Sequence, residues 1–333
     1  VSASAASMAA RIRNGFEHHQ VSIYFTAVVV ASLVALVLPA TTALASAINP
    51  ALALMLYVTF MQVPVTEPGK AITRLRFLLP LLLANFVIVP ALVAVLIPFL
   101  PENRMLLLGV LLVLLTPCID YVVTFSQLGR SDSRLLLAST PVLLIAQVLL
   151  LPLYLHIFLG EDASGLIKPK PFIEAFLWLI AAPLCLAAIT QRWSRRSRLG
   201  DSVCEGLGLL PVPATAVVLF IVVAAMLPRL AGVWPMALQA VPIYVAFAVL
   251  APLAGWMVAR MFRLEPAAGR AVAFSAATRN SLVVLPLALA VPGAIPVLPA
   301  IIITQTLVEL LSELVYIRLM PQLGQMRQNQ SRT

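Results

Sequence analysis

Two stretches of this chain hold residue types that do not belong in the apolar sequence around them. The first is Thr116-Pro117-Cys118-Ile119-Asp120, in the middle of GVLLVLLTPCIDYVVTFSQLGR (Gly109 to Arg130). The second is Thr278-Arg279-Asn280-Ser281, inside AVAFSAATRNSLVVLPLALAV (Ala271 to Val291). Pro117 lacks a backbone donor and clashes with the carbonyl four residues back, that of Val113, so a helix running through it must kink or break. Asp120 sets a carboxyl where the centre of a helix in lipid is charged roughly 2.5 to 3.5 kcal/mol for it, and Arg279 poses the same problem with the opposite sign. Broken backbone and buried charge persist at membrane depth only where they face protein or water. Both stretches are therefore binding-site candidates rather than simple anchors.

What these residues could do follows from their types. Cys118 directly follows the breaking proline; as a thiolate it is a soft ligand for thiophilic ions, and as a buried thiol it is a small packing residue. Asp120 and Arg279 are expected to pair, and protonation of Asp120 would then release the pair and give a route for proton coupling. The local alternatives are a helix cap for Asp120 and snorkelling for Arg279. Further along, Gln305, Glu309 and Glu313 recur every four residues and share one helix face. Glu309 is the deeper acid and reads as a proton carrier or a ligand on a substrate path, while Glu313 is near enough to a helix end to reach headgroups or Arg318. Asn85, Thr124, Ser139 and Gln147 read as hydrogen-bonding residues between helices.

No catalytic signature accompanies them: G-x-S-x-G, H-E-x-x-H and the phosphate loop G-x-x-x-x-G-K-[ST] are all absent. The only histidines, His18, His19 and His156, are too scattered for a metal site. The three cysteines, Cys118, Cys185 and Cys204, imply no disulfide framework. The reading is of a protein that is not an enzyme or an ATP-driven pump, and that needs neither cofactor nor metal.

The elements that must position these residues are membrane spans. Hydrophobic residues make up 62% of the 333 positions and charged ones 11%, against roughly 45 to 50% and 25% in a soluble domain. Uncharged runs of about 20 residues predict ten spans, near 21–40, 46–64, 77–99, 105–127, 135–159, 172–191, 207–228, 236–259, 270–291 and 295–317. The first run, with Arg11 and Arg13 upstream and Ala45-Ser46-Ala47 downstream, imitates a signal peptide. It is longer than the roughly 7 to 15 residues of a signal-peptide core, however, and is read as a span.

A net charge of +9 would point to nucleic acid in a soluble chain. Here the cations sort by side of the membrane. With the N-terminus inside, 17 of the 22 basic residues fall in cytoplasmic segments; only Arg104, Lys168, Lys170 and Arg229 fall outside, and Arg279 lies within a span. The expectation is an inner-membrane, multi-pass protein with both termini cytoplasmic, whose partners are the lipid bilayer, a small-molecule or oxyanion-type substrate and protons, with no nucleic acid.

Spans two and seven share a faint likeness, PALALMLYVTFMQVP (Pro50 to Pro64) and PATAVVLFIVVAAMLP (Pro213 to Pro228). The same offset of five carries the broken span four onto the interrupted span nine. An odd repeat length inverts the second copy. The predicted fold is therefore an all-α membrane protein of ten helices in two inverted five-helix repeats, residues 21–160 and 171–318, between a cytoplasmic segment (1–20) and a cytoplasmic tail (319–333). The middles of discontinuous spans four and nine would cross near the pseudo-twofold axis.

LLTPCIDYVVTFSQLGRSDSRLLL, NPALALMLYVTFMQVPV, AFSAATRNSLVVLPLALA and TQTLVELLSELVY together resemble the arsenite efflux permeases, the arsenical-resistance permeases of the bile acid:sodium symporter superfamily. The likeness follows span order over essentially the whole chain, and Pro117-Cys118 is its most specific element. It implies a panel domain of spans 1, 2, 6 and 7 and a core domain of spans 3, 4, 5, 8, 9 and 10. It also implies that Cys118 contacts arsenite and Glu309 functions in transport, with arsenite, and antimonite beside it, exported in exchange for protons.

The sequence departs from that pattern in two places. Ile119 and Asp120 replace small and polar residues after the cysteine. In span nine, Arg279-Asn280-Ser281-Leu282 stands where two asparagines, a phenylalanine and a glutamate are expected, so only Asn280 matches. In the bile acid branch a glutamate of that span helps to bind sodium; a fixed cation there argues against a sodium site and favours protons. The substrate-binding candidates are thus Cys118, Arg279 and Asn280, with Asp120 and Glu309 for proton coupling and Pro117 as the helix break. An organic anion held by Arg279 is the second reading, and a membrane sensor or scaffold that moves no solute is the third.

Overall fold

The computed structural model describes residues 2–62, 75–119, 121–160, 174 and 177–324. Among these residues the regular structure is helical, apart from one antiparallel bridge between Pro117 and Arg279. In chain order the principal helices are α1 (Ser2–Val37), α2 (Ala45–Gln62), α3 (Leu75–Phe99), α4 (Arg104–Leu114), α5 (Val122–Leu128), α6 (Ser133–Leu159), α7 (Ala182–Ser194), α8 (Arg198–Leu207), α9 (Pro211–Met226), α10 (Val241–Met261), α11 (Pro266–Ala277), α12 (Ser281–Leu289) and α13 (Val297–Leu319).

Among the described residues, six stretches are long and apolar enough to cross a bilayer: His18–Val37, Ala40–Gln62, Leu75–Phe99, Ser133–Leu159, Trp234–Met261 and Val297–Gln322. The pair α8 and α9, bent by 46°, makes a seventh if counted as one crossing. The predicted spans at 105–127 and 270–291 are not continuous: the first divides into α4 and α5, the second into α11 and α12. The predicted span at 172–191 falls partly outside the described residues. A chain with this many apolar helices is a multi-pass membrane protein. Its surface agrees: on α6, Ile145, Leu149 and Ile157 are more than half exposed while Leu144, Leu151 and Leu155 are buried, so the exposed stripe is as apolar as the buried one.

Contacts gather the chain into two compact units, residues 1–66 with 169–233 and residues 67–168 with 234–333. In the first, α9 packs on α1 and α2, and α2 packs on α7. Ile48, Leu52, Met55 and Leu56 of α2 and Val218 and Val222 of α9 lie in its core. Polar links fix the α2–α7 contact, with the Tyr57 and Thr190 hydroxyls 3.0 Å apart and Gln191 Nε2 donating to the Phe60 carbonyl at 3.0 Å.

The second unit holds both broken spans. Helix α10 lies along α11, and α13 packs against α4, α10 and α12. Gly255 sets the first of these contacts, since a Cβ there would lie 2.8 Å from the Ala276 Cβ and 3.0 Å from the Ala273 Cα. Residues 271–288, which include the whole of the second break, are buried without exception. Near the middle of α3, residues Ala84–Ile88 widen into a π-turn, the kind of local irregularity that often marks a functional position. It carries Asn85, which is fully buried.

Candidate functional site

The two breaks, one between α4 and α5 and the other between α11 and α12, meet within the second unit. Helix α4 is capped at its start by Asn103, whose side chain accepts the Leu106 N–H at 3.0 Å. At its other end the helix tightens: the Thr116 N–H reaches the Val113 carbonyl at 3.1 Å, and Thr116 Oγ1 donates to the Leu112 carbonyl at 2.7 Å. Pro117 then cannot continue the ladder, Cys118 and Ile119 lie outside any helix, and α5 starts at Val122. In the partner span, α11 ends at Ala277, Thr278 is extended, and Asn280 caps α12 by accepting the Val283 N–H at 3.2 Å.

The unwound segments satisfy each other. The Cys118 N–H donates to the Thr278 carbonyl at 3.1 Å, and the Asn280 N–H donates to the Thr116 carbonyl at 2.8 Å. Pro117 and Arg279 stand opposite each other between these bonds, at the position of an antiparallel pair that uses no N–H. The missing donor of proline therefore costs this short ladder nothing.

Arg279 is fully buried, and its guanidinium lies where two helices end. Nη1 donates to the Leu114 carbonyl of α4 at 3.4 Å, and Nη2 has the Ser275 and Ala276 carbonyls of α11 at 2.6 and 2.7 Å and Asn85 Oδ1 at 2.8 Å. The C-terminal carbonyls of both half-helices carry partial negative charge, so a cation there is stabilised by both. Its Cζ also sits 5.6 Å from the centre of the Phe247 ring, within cation–π range. Asn85 in turn is held by its own amide, which donates to the Leu81 carbonyl at 3.0 Å and to Ser275 Oγ at 2.9 Å. Snorkelling is not how this arginine is accommodated.

Helix α13 lays two carboxyls against the Thr278–Arg279 peptide. Glu309 Oε2 accepts the Arg279 backbone N–H at 2.7 Å and Gln305 Nε2 at 2.6 Å, and its Oε1 accepts from the Tyr121 hydroxyl at 2.5 Å. Glu313 Oε1 lies 2.6 Å from Thr278 Oγ1. Both glutamates are buried, Glu313 completely, so it reaches neither headgroups nor the aqueous edge. A small cavity with room for about one water opens beside Glu309, lined also by Gln305, Ser312, Tyr244 and Tyr316.

Of the residues singled out from sequence, Pro117, Cys118, Arg279, Asn280 and Glu309 all lie at or against this crossing, while Asp120 and its expected pairing with Arg279 lie outside the described residues. Cys118 is fully buried. Asn280 Nδ2 is a buried donor with no hydrogen-bond partner among the described residues. Sequence reasoning passed over Tyr121, read Asn85 as a hydrogen-bonding residue between helices without assigning it to this site, and placed Glu313 near the membrane edge. An amide inside the apolar run of α3 was the only advance sign of Asn85, and the four-residue spacing from Glu309 was the sign of Glu313.

No characterised protein matches the chain. Residues 49–233, more than half of the 333, match the Sodium Bile acid symporter family, and the matched stretch includes the first half of the crossing. A multi-pass helical protein with this match is a membrane transporter and moves a small molecule across a lipid bilayer; the chain belongs to the sodium bile acid symporter family.

Proposed function

We propose that this transporter is a proton-coupled exchanger that exports arsenite, with antimonite as a second cargo, through the crossing of the two broken spans. The observation that carries the reading is the division of labour at that crossing. Arg279 directs both Nη atoms at protein oxygens, whereas Cys118 brings a soft sulfur ligand to the same place and Asn280 brings a buried amide donor without a partner among the described residues. The guanidinium amid four protein oxygens stands in for a bound cation, which supports protons rather than sodium as the coupling ion. Glu309, and Asp120 two residues after Cys118 in the sequence, are the carboxyls that this reading assigns to proton coupling.

The wider architecture is part of the proposal. Ten spans in two inverted repeats would bring the breaks together as a reciprocal pair, as the two crossed backbone bonds support. The two compact units would act as panel and core, and the chain would sit in the inner membrane with both termini cytoplasmic.

Arsenite accumulation in everted vesicles, with and without a proton gradient, tests this for the parent and for Cys118→Ser. The expected result is gradient-dependent accumulation that the substitution abolishes. Undiminished transport by Cys118→Ser would sink the thiol role. The family match itself favours a second reading, transport of an organic anion; a labelled organic anion moving where arsenite does not would establish it instead.

A further inference from the structure

We infer that Glu313, not Glu309, is the carboxyl that holds a proton in this conformation, and that it donates this proton to Thr278. The inference rests on the proposed proton coupling only for its use in transport; the protonation itself stands on hydrogen-bond geometry.

Thr278 Oγ1 has two contacts of hydrogen-bond length, the Phe274 carbonyl at 2.8 Å and Glu313 Oε1 at 2.6 Å. A hydroxyl carries one proton and two lone pairs. Both contacts are hydrogen bonds only if one partner brings a second proton, and a backbone carbonyl has none to bring. A protonated Glu313 does: its O–H donates to Thr278, whose own O–H continues to the Phe274 carbonyl. The other oxygen, Oε2, is buried and accepts from no group among the described residues. That is costly for a carboxylate and cheap for a neutral acid.

Glu309 is placed differently. Two N–H donors, the Arg279 backbone and the Gln305 amide, converge on its Oε2, and neither can accept a proton back. The Tyr121 hydroxyl also faces two acceptors, Glu309 Oε1 at 2.5 Å and the Arg279 carbonyl at 3.0 Å, so the hydroxyls alone do not separate the two acids; the two N–H donors on Glu309 Oε2, against the unpartnered Oε2 of Glu313, decide between them. Glu309 is thus furnished as an anion, and Arg279 is the fixed cation beside it.

The charge count agrees. The ionisable groups of the cluster are Glu309 and Tyr316 on the same helix as Glu313, and Arg279 on the crossing segment with Tyr121 and Cys118 near it; Tyr244 of α10 lines the cavity beside Glu309 with its hydroxyl on the Ile301 carbonyl, and Arg270 of α11 is engaged by the Arg130 and Leu323 carbonyls. Helices α5 and α12 bring no ionisable side chain, and Arg104 and Arg260, on the neighbouring helices α4 and α10, are exposed at helix ends. Among the described residues the cluster therefore holds one buried cation and two buried carboxyls. Neutrality leaves one proton to be carried, and Glu313 is the acid without N–H donors.

Infrared spectroscopy of the purified full-length protein at neutral pH tests this without any transport assay, by the carbonyl stretch of a protonated carboxylic acid, which a carboxylate lacks. The band is expected in the parent, in Glu309→Gln and in Asp120→Asn, and is expected to vanish in Glu313→Gln, whose amide can still donate to Thr278. Thr278→Val should keep the band but move it to higher frequency, as its hydrogen bond is lost. A band that survives Glu313→Gln, or that vanishes in Glu309→Gln or Asp120→Asn instead, would overturn the assignment, as would a parent with no band. Loss of the band in Glu313→Gln together with arsenite flux indifferent to a proton gradient would uphold the protonated acid and refute the exchange reaction.

Discussion

Replacing Arg279 by methionine removes the cation and keeps a side chain of similar length. In the parent, Nη2 has two hydrogens and three acceptors at 2.6 to 2.8 Å, so two full charged hydrogen bonds are lost, while the contact from Nη1 at 3.4 Å is too long to add much. At about 1.5 to 3 kcal/mol for each bond to a charged group, the loss is roughly 3 to 6 kcal/mol. This agrees with the roughly 3 to 5 kcal/mol seen when one partner is stripped from a buried charge pair. Part of that cost belongs to Glu309, which keeps its donors but loses its counter-charge. Glu309→Gln strands the cation in the same way. The double variant strands neither, so the two costs should fail to add, with a coupling of about 1 to 3 kcal/mol. The assay is reversible unfolding of purified protein in a fixed detergent, followed by tryptophan fluorescence for parent, singles and double. Additivity within about 0.5 kcal/mol would show that the two groups are energetically independent and would refute the charge-balanced crossing.

Two further outcomes are expected. Gly255→Ala should destabilise the second unit by about 1 to 3 kcal/mol, because the new methyl meets backbone as well as the Ala276 side chain and α10 and α11 must separate to admit it; a neutral result in the same unfolding assay would contradict the close approach. Asp120→Asn and Arg279→Gln should each impair transport and expression while the double change recovers part of the loss, and two single effects that simply add would rule out their pairing.

The breaks were legible because their signals are local. A proline and a run of polar residues interrupt apolar sequence wherever the chain goes afterwards, and both interruptions are places where a helix ends. That the breaks bearing Cys118 and Arg279 would meet also came from the sequence, through the offset between spans; Glu309 was read as functional from its depth and from the resemblance, and its place against the crossing was not foreseen. What stayed hidden depends on angle and distance. Tyr121 looks like any aromatic in a span until its hydroxyl is seen to reach Glu309 across helices. Asn85 acquires its role only because a π-turn rotates it toward Ser275 and Arg279. For Glu313, spacing gave the correct helix face, but depth could not be judged by counting back from Arg318 when neighbouring helices cover the acid completely. The fate of Arg279 was hidden for a related reason. Its partners are mostly backbone carbonyls at helix ends, and these have no signature in a sequence.

The short ladder between Thr116–Cys118 and Thr278–Asn280 has a consequence for how such a carrier can change its cargo. Both of its bonds run from main chain to main chain, and its central pair asks for no donor. The backbone of the crossing is therefore indifferent, to first order, to which side chains follow Pro117. Residues 118 and 119 can be exchanged, soft for hard or charged for neutral, while the backbone node in the membrane interior stays hydrogen-bonded; Arg279, which holds the ends of α4 and α11, and Asn280, which caps α12, are not free in the same way. A lineage built on this node can try new substrates by single substitutions without first having to refold the place where they bind.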